Sequence, residues 1–255
     1  MSFERFGVGA GVGAEQPRTG EHTEATTPGV VSPALRLQIL STEHWSLLAS
    51  RSLAWNESFS RTGMFLSTLS GAIVALALVA QVSAFGEGFT IFALVILPVV
   101  LFIGVTTYLR LSGSNYHDVL CVVGMNRIRA AYLELAPELT RYFVMSAHDD
   151  VRGVQLTQGV QPGGGRMQLA HFLAATPVLV VAINGVIGGV IVALLSIRAG
   201  AATGAAVGLG AVGFMVVLSL HSLYARRMIA LALHGYSPLF PETADSGARV
   251  SPQAS

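Results

Sequence analysis

Charge is what this sequence has least of. Asp, Glu, Lys and Arg make up 11% of the 255 residues, against roughly 25% in an average soluble domain. Lysine is absent, so all fifteen basic residues are arginine. A net charge of +1 excludes a strongly basic nucleic-acid-binding surface. The single cysteine, Cys121, excludes an internal disulfide and a thiolate metal cluster. No GxSxG, no cysteine beside a plausible base and no carboxylate pair at a membrane surface is present, so the expectation is a protein that is not an enzyme.

What is abundant is apolar sequence: 52% hydrophobic residues, gathered into long runs. Four runs contain no charged residue at all, at 62–86, 88–109, 167–197 and 199–225. A helix needs about 20 apolar residues to cross a hydrocarbon core of about 30 Å, and each run is long enough. The third is the most hydrophobic, with fifteen Leu, Ile, Val or Phe residues between Phe172 and Ile197. Those side chains favour insertion by roughly 5 to 9 kcal/mol. The first run begins too far from the N-terminus for a secretory signal peptide, so the runs are expected to remain as anchors.

Arginine placement sets an expected orientation. Fourteen of the fifteen lie in the N-terminal arm, the central loop and the C-terminal tail; only Arg198 lies in a short turn between spans. The positive-inside rule then places those three parts, and both termini, in the cytoplasm of a bacterial inner membrane. The expected fold is an all-α integral membrane protein. It has four transmembrane helices in two hairpins, 62–110 and 167–226, with a small helical cytoplasmic layer.

Outside the spans, residues 1–32 and 237–255 are rich in Gly, Thr, Glu, Ser and Pro and are expected to be disordered. Ser32-Pro33 signals a helix start, giving a juxtamembrane helix over 33–61. It carries Trp45, Leu48, Ser52, Trp55 and Phe59 on one stripe, and Trp45 and Trp55 are expected as interfacial anchors. In the central loop, 111–166, Ser114 or Asn115 is expected to cap a helix that runs to Ala136, where Pro137 should end it. A short helix over 138–144 and a flexible return at 161–165 are expected to follow. The last span is expected to continue past Arg226 and Arg227 to about Leu233, where Gly235 and Pro238 stop it.

Within the spans, small residues recur every four positions: Ser67, Gly71 and Ala75; Gly185, Gly189 and Ala193; Gly200, Gly204 and Gly208. In lipid such faces let helices pack closely, within a chain or between copies. The GxGxxG match at 208–213 lies in a span, where no nucleotide can reach it, and is read as packing. Asn184 is the most polar residue deep in a span, expected to bond a neighbouring helix, and Pro98 and Pro177 are expected to kink theirs. The seven histidines show no HxxxH or HExxH spacing, which leaves His117, Asp118, His148 and Asp149 as a weak metal set and no cofactor or metal expected.

The segment 37–75, containing Arg51, Asn56 and MFLSTLSGAIVALA, and the segment 125–137, MNRIRAAYLELAP, resemble a group of bacterial multi-span membrane proteins. More remotely they are similar to the RipA-like octameric membrane proteins and to two-span effectors with a cytoplasmic helix. The resemblance implies oligomeric assembly and carries over no site residue.

Together these features point to a non-enzymatic homo-oligomeric scaffold, sensor or effector in the lipid bilayer, acting on a cytoplasmic protein partner and not on nucleic acid. The alternative is a channel or small transporter with a pore between subunits, lined by Ser67, Ser70, Thr106 or Asn184.

Overall fold

A computed structural model describes residues 31–160 and 176–242. The described chain is all helical, with five α-helices: α1 (Pro33–Ser83), α2 (Glu87–Leu135), α3 (Val151–Thr157), α4 (Thr176–Arg198) and α5 (Thr203–Leu233), plus a 3₁₀ turn at Pro137–Tyr142. Four of them, α1, α2, α4 and α5, are long and apolar enough to cross a membrane.

The two longest helices do not stop where the hydrophobic runs stop. Ser32 caps α1, its hydroxyl accepting from the Leu35 N–H at 3.3 Å, and Pro33 opens the first turn. From there 51 residues run without a break, about 75 Å at 1.5 Å per residue. The juxtamembrane helix and the first apolar run are one rod. On α2, the helix expected to start at a Ser114 or Asn115 cap is instead continuous with the second apolar run. Leu111, Gly113, Ser114 and Asn115 include no proline, and a hydroxyl or amide mid-helix does not interrupt the i to i−4 ladder. Pro98 sits inside the same helix. Pro137 ends it, as a residue before proline is driven out of the helical region, and the 138–144 expectation resolves into the 3₁₀ turn.

α1 packs along α2, α4 along α5, and α2 also contacts α4. Phe65 and Ala72 of α1, Leu97, Val100 and Tyr108 of α2, and Val180 and Ile187 of α4 form one apolar core. Arg198 at the end of α4 reaches Glu87 at the start of α2 at 2.9 Å, so these two helices run antiparallel. The α4–α5 contact is closest at Gly189 and Gly210, where a methyl on either would come within 2.8–2.9 Å of the other's carbonyl oxygen. Gly185 lies under Phe214 and Leu218, and Gly213 under Val192. The turn after α4 uses Gly200 at φ +86°.

Pro177 is the second described residue of α4, and the residues before Thr176 lie outside the described ones. Residues 237–242, grouped with the tail by composition, are tied to the central loop through backbone hydrogen bonds to Asp149 and Asp150. The expectations for 1–30, 161–175 (including His171) and 243–255 lie outside the described residues.

Candidate functional site: polar joints along the helical rods

The charged and polar side chains gather at three levels. The first is the seam between α1 and α2 above their apolar halves. Asp118, nearly buried on α2, accepts from Arg51 Nε at 2.5 Å, Trp55 Nε1 at 3.0 Å and Gln158 Nε2 at 3.3 Å. One carboxylate thus joins α1, α2 and the residue following α3. A turn lower, Glu57 accepts from both Arg61 on its own helix and Arg110 on α2 at 2.9 Å, which holds its carboxyl below the usual range. Higher up, Leu47 lies over Gly124, His44 stacks on Tyr132 at 6.1 Å, and Arg36 meets Glu134 at 3.1 Å. Burial and the positive Arg129 lower the pKa of His44, whose Nδ1 is buried without a partner among the described residues. Burial raises the Cys121 thiol, which is buried with its Sγ 3.4 Å from His117 Nδ1, a ring nitrogen one helical turn away that the expectation of no base beside the cysteine did not include.

The second level is a knot around Asp149, which has no exposed surface. Its carboxylate accepts from Arg127 Nε at 2.8 Å and from the backbone N–H groups of Leu239 at 2.9 Å and Phe240 at 2.8 Å. Tyr236 donates its hydroxyl to the Asp149 carbonyl and lies beneath the Arg127 guanidinium. Burial raises the Asp149 pKa, but the two backbone donors and Arg127 outweigh it and leave the carboxyl below its ordinary value. Asp150 caps α3 through Gly153 N–H at 2.7 Å and also accepts from Glu242 N–H at 2.9 Å. Asn126 completes the layer: its amide donates to the His148 carbonyl at 2.7 Å and accepts from Arg129 and Thr157. The segment after α5 is therefore strapped to the loop before α3, over the apolar cluster of Val122, Met125, Val154 and Tyr236.

The third level lies inside the apolar helices. Asn184 on α4 is fully buried, and its amide nitrogen faces His221 Nε2 on α5 at 3.4 Å. His221 Nδ1 lies 2.8 Å from the Val217 carbonyl. Tyr108 on α2 donates to the His221 carbonyl at 3.0 Å and packs edge-on against the imidazole at 4.5 Å. Asn184 Oδ1 has no hydrogen-bond partner among the described residues, and a methyl built on Gly104 of α2 would fall on it.

The small-residue positions divide. Gly185, Gly189 and Ala193 face α5 within the chain. Ser67 and Gly71 are exposed and Ala75 half-buried; Gly200 is in the turn, and Gly204 and Gly208 point to open space. On α5 the buried small positions are Ala206, Gly210 and Gly213. Trp45 is 68% and Trp55 49% exposed. Of the four residues weighed as a metal set, Asp118 and Asp149 are each held by arginine in separate layers, and no group of three His, Cys, Asp or Glu able to hold a metal occurs among the described residues.

The knot and the Asp118 clasp had little local signal in the sequence. Asp150 to Gly153 reads as a cap once a helix start is sought there, but Arg51 with Asp118 and Asp149 with Leu239 are pairings across 67 and 90 residues. No family profile, curated protein or solved structure matches the chain.

Proposed function

We propose that this protein is a self-associating multi-pass scaffold or sensor of a bacterial inner membrane, which acts through helices that rise from the bilayer into the cytoplasm. One observation carries the reading: α1 and α2 each run unbroken from an apolar half into a polar-seamed half. Measured from Arg61 and Arg110, the upper halves extend about 42 Å and about 38 Å. Ion pairs of Glu57, Asp118 and Glu134 join the two rods, which supports a route by which a shift in the membrane would reach the cytoplasmic layer without a flexible link. The arginine distribution supports two membrane hairpins with both termini inside.

The same geometry separates the two tryptophans. Trp55 is about 9 Å along α1 from Arg61, within reach of headgroups, whereas Trp45 is about 24 Å away. Trp45 is too far above the bilayer to anchor in it, and it serves a protein contact, to a second copy or a cytoplasmic partner. The outward Ser67, Gly71, Gly204 and Gly208 faces suit close contact between copies in lipid. No catalytic role is assigned, since the buried carboxylates are consumed in structural pairs.

Native mass spectrometry of the full chain released from lipid nanodiscs tests the reading. A discrete homo-oligomer is expected; monomers alone at every protein-to-lipid ratio overturn it.

A further inference from the structure

One long face of α1 stays open among the described residues. Trp45, Ala49, Ser52 and Asn56 on the upper half are exposed, and so are Gly63, Ser67 and Gly71 on the apolar half. Spacings of three, four and seven residues put them on one side of the helix. The charged side chains of α1 lie elsewhere. Arg36, Arg51 and Glu57 reach Glu134, Asp118 and Arg110 of α2, and Arg61 pairs with the same Glu57. The remaining charged residue, Glu43, is two positions from Trp45 and so points away from it. The open face therefore carries no charge, above the apolar run as well as within it. A helix flank that stays in water is normally rich in charge. A flank with none and with a 68% exposed tryptophan is a surface to be covered.

We propose that two copies meet at this face, α1 against α1 in parallel about a two-fold axis along the membrane normal, with Asn56 of one copy facing Asn56 of the other. The inference rests on the self-association proposed above and names its interface. The continuity of α1 selects a second copy as the occupant. The face passes from the apolar run into the upper half within one unbroken helix; lipid covers only its lower part and a soluble protein only its upper part. A second copy in the same membrane presents a matching surface at both heights. Charge agrees with this choice. Across a two-fold axis every group near the axis meets itself, and a neutral face meets no like charge. An amide both donates and accepts, so Asn56 pairs with its own copy, and a lone Asn in such a seam fixes the register.

The extent of the face is also sufficient. From Thr42 to Leu78, both exposed, it is about 54 Å long, and a helix about 10–12 Å across covers roughly 600 Å² of each copy along it. The total exceeds the roughly 1,000 Å² that a specific interface needs. The chain already pairs helices at small residues, since α4 and α5 close at Gly189 and Gly210. Gly63 and Gly71 have nothing within 4 Å of an added methyl and leave the same kind of room for a second helix.

Disulfide cross-linking of the full chain in its membranes tests the seam. On a Cys121→Ala background, Ala49→Cys and Ser67→Cys place single thiols on the face, one in each half. Leu48→Cys and Thr68→Cys are also exposed but sit one residue away, about 100° around the helix. Two different tags on co-expressed copies identify a link between copies of this chain. Mild oxidation should give a covalent dimer carrying both tags from the two face positions and little from the two flank positions. Asn56→Lys, at an exposed position, sets like charges against each other at the axis and should abolish the Ala49→Cys link. Equal linking at face and flank, no linking at either face position, a link to a different protein, or a link that survives Asn56→Lys overturns this interface. If native mass spectrometry still shows a homo-oligomer, self-association stands and this interface alone falls; monomers alone remove both.

Discussion

A single hydrogen on Gly104 separates two outcomes that its residue type alone would not. A methyl there would fall on Asn184 Oδ1 and press on the Phe65 ring at 2.8 Å, and both neighbours are fully buried. Gly104→Ala is expected to cost about 1–3 kcal/mol through overpacking, seen as a lower unfolding midpoint in detergent. Gly71 is a matched control on α1 with nothing within 4 Å. There Gly71→Ala should be neutral or stabilising by up to about 1 kcal/mol through helix propensity, provided the protein is dispersed as single chains. His44 gives a pH signature at the same scale. Its folded pKa is lowered, so the folded chain binds fewer protons than the unfolded one. Its contribution is full above the unfolded value of about 6.5 and is lost as pH falls towards the folded value. Protection factors across 40–50 of α1, with the intrinsic pH dependence of exchange divided out, should therefore fall between pH 7.5 and pH 5.5, and His44→Phe should remove most of that change. Asp149 adds to acid lability at lower pH. Its depressed carboxyl stabilises the folded state above the usual carboxylate range, and that is lost as pH drops through the folded value.

At the scale of elements, the rods are held by a few carboxylates rather than by apolar packing alone. Replacing Asp118 with Asn leaves Arg51 without its ion pair and weakens the bonds from Trp55 and Gln158. The expected cost is about 1–3 kcal/mol, concentrated in the upper half of α1, where hydrogen exchange across 45–58 should accelerate while 62–80 stays protected. The strap is a second element-level device. Asp149→Asn keeps the shape but cannot accept equally well from Arg127 and two backbone N–H groups. It should free 236–242 to limited proteolysis without altering the apolar helices.

The elements also mark how far the sequence could be read. The starts and stops with local chemistry were legible: Ser32-Pro33 opening α1, Pro137 closing α2, and α5 continuing through Arg226 and Arg227 to Leu233. The continuity of α1 and α2 was not, because a change from apolar to polar composition resembles a boundary, while helical hydrogen bonding is indifferent to it. Helix-packing faces were readable as candidates only. On α4 the glycines face α5, but on α5 the buried set is Ala206, Gly210 and Gly213, since the stripe at 200, 204 and 208 is rotated away from α4. Gly104 with Asn184, and Asp149 with the 239–240 backbone, are contacts between distant segments that no spacing encodes.

For the whole molecule, the scarcity of charge and its placement describe one design. The apolar runs exclude Asp, Glu and Arg, and arginines crowd the ends of the runs. The long rods then convert that asymmetry into height, lifting Trp45 and the Asp118 and Asp149 layers well above the apolar halves. The account rests on those layers facing the cytoplasm while the turn at Ala84 and Phe85 faces out. The most direct measurement is labelling of intact cells with a membrane-impermeant maleimide, on a Cys121→Ala background carrying one probe cysteine at a time. Phe85→Cys, in an exposed turn, and Leu53→Cys, exposed on the upper half of α1, are the two probes. Phe85→Cys should label in intact cells and Leu53→Cys only after permeabilisation; the reverse pattern, or labelling of both from outside, would contradict the account.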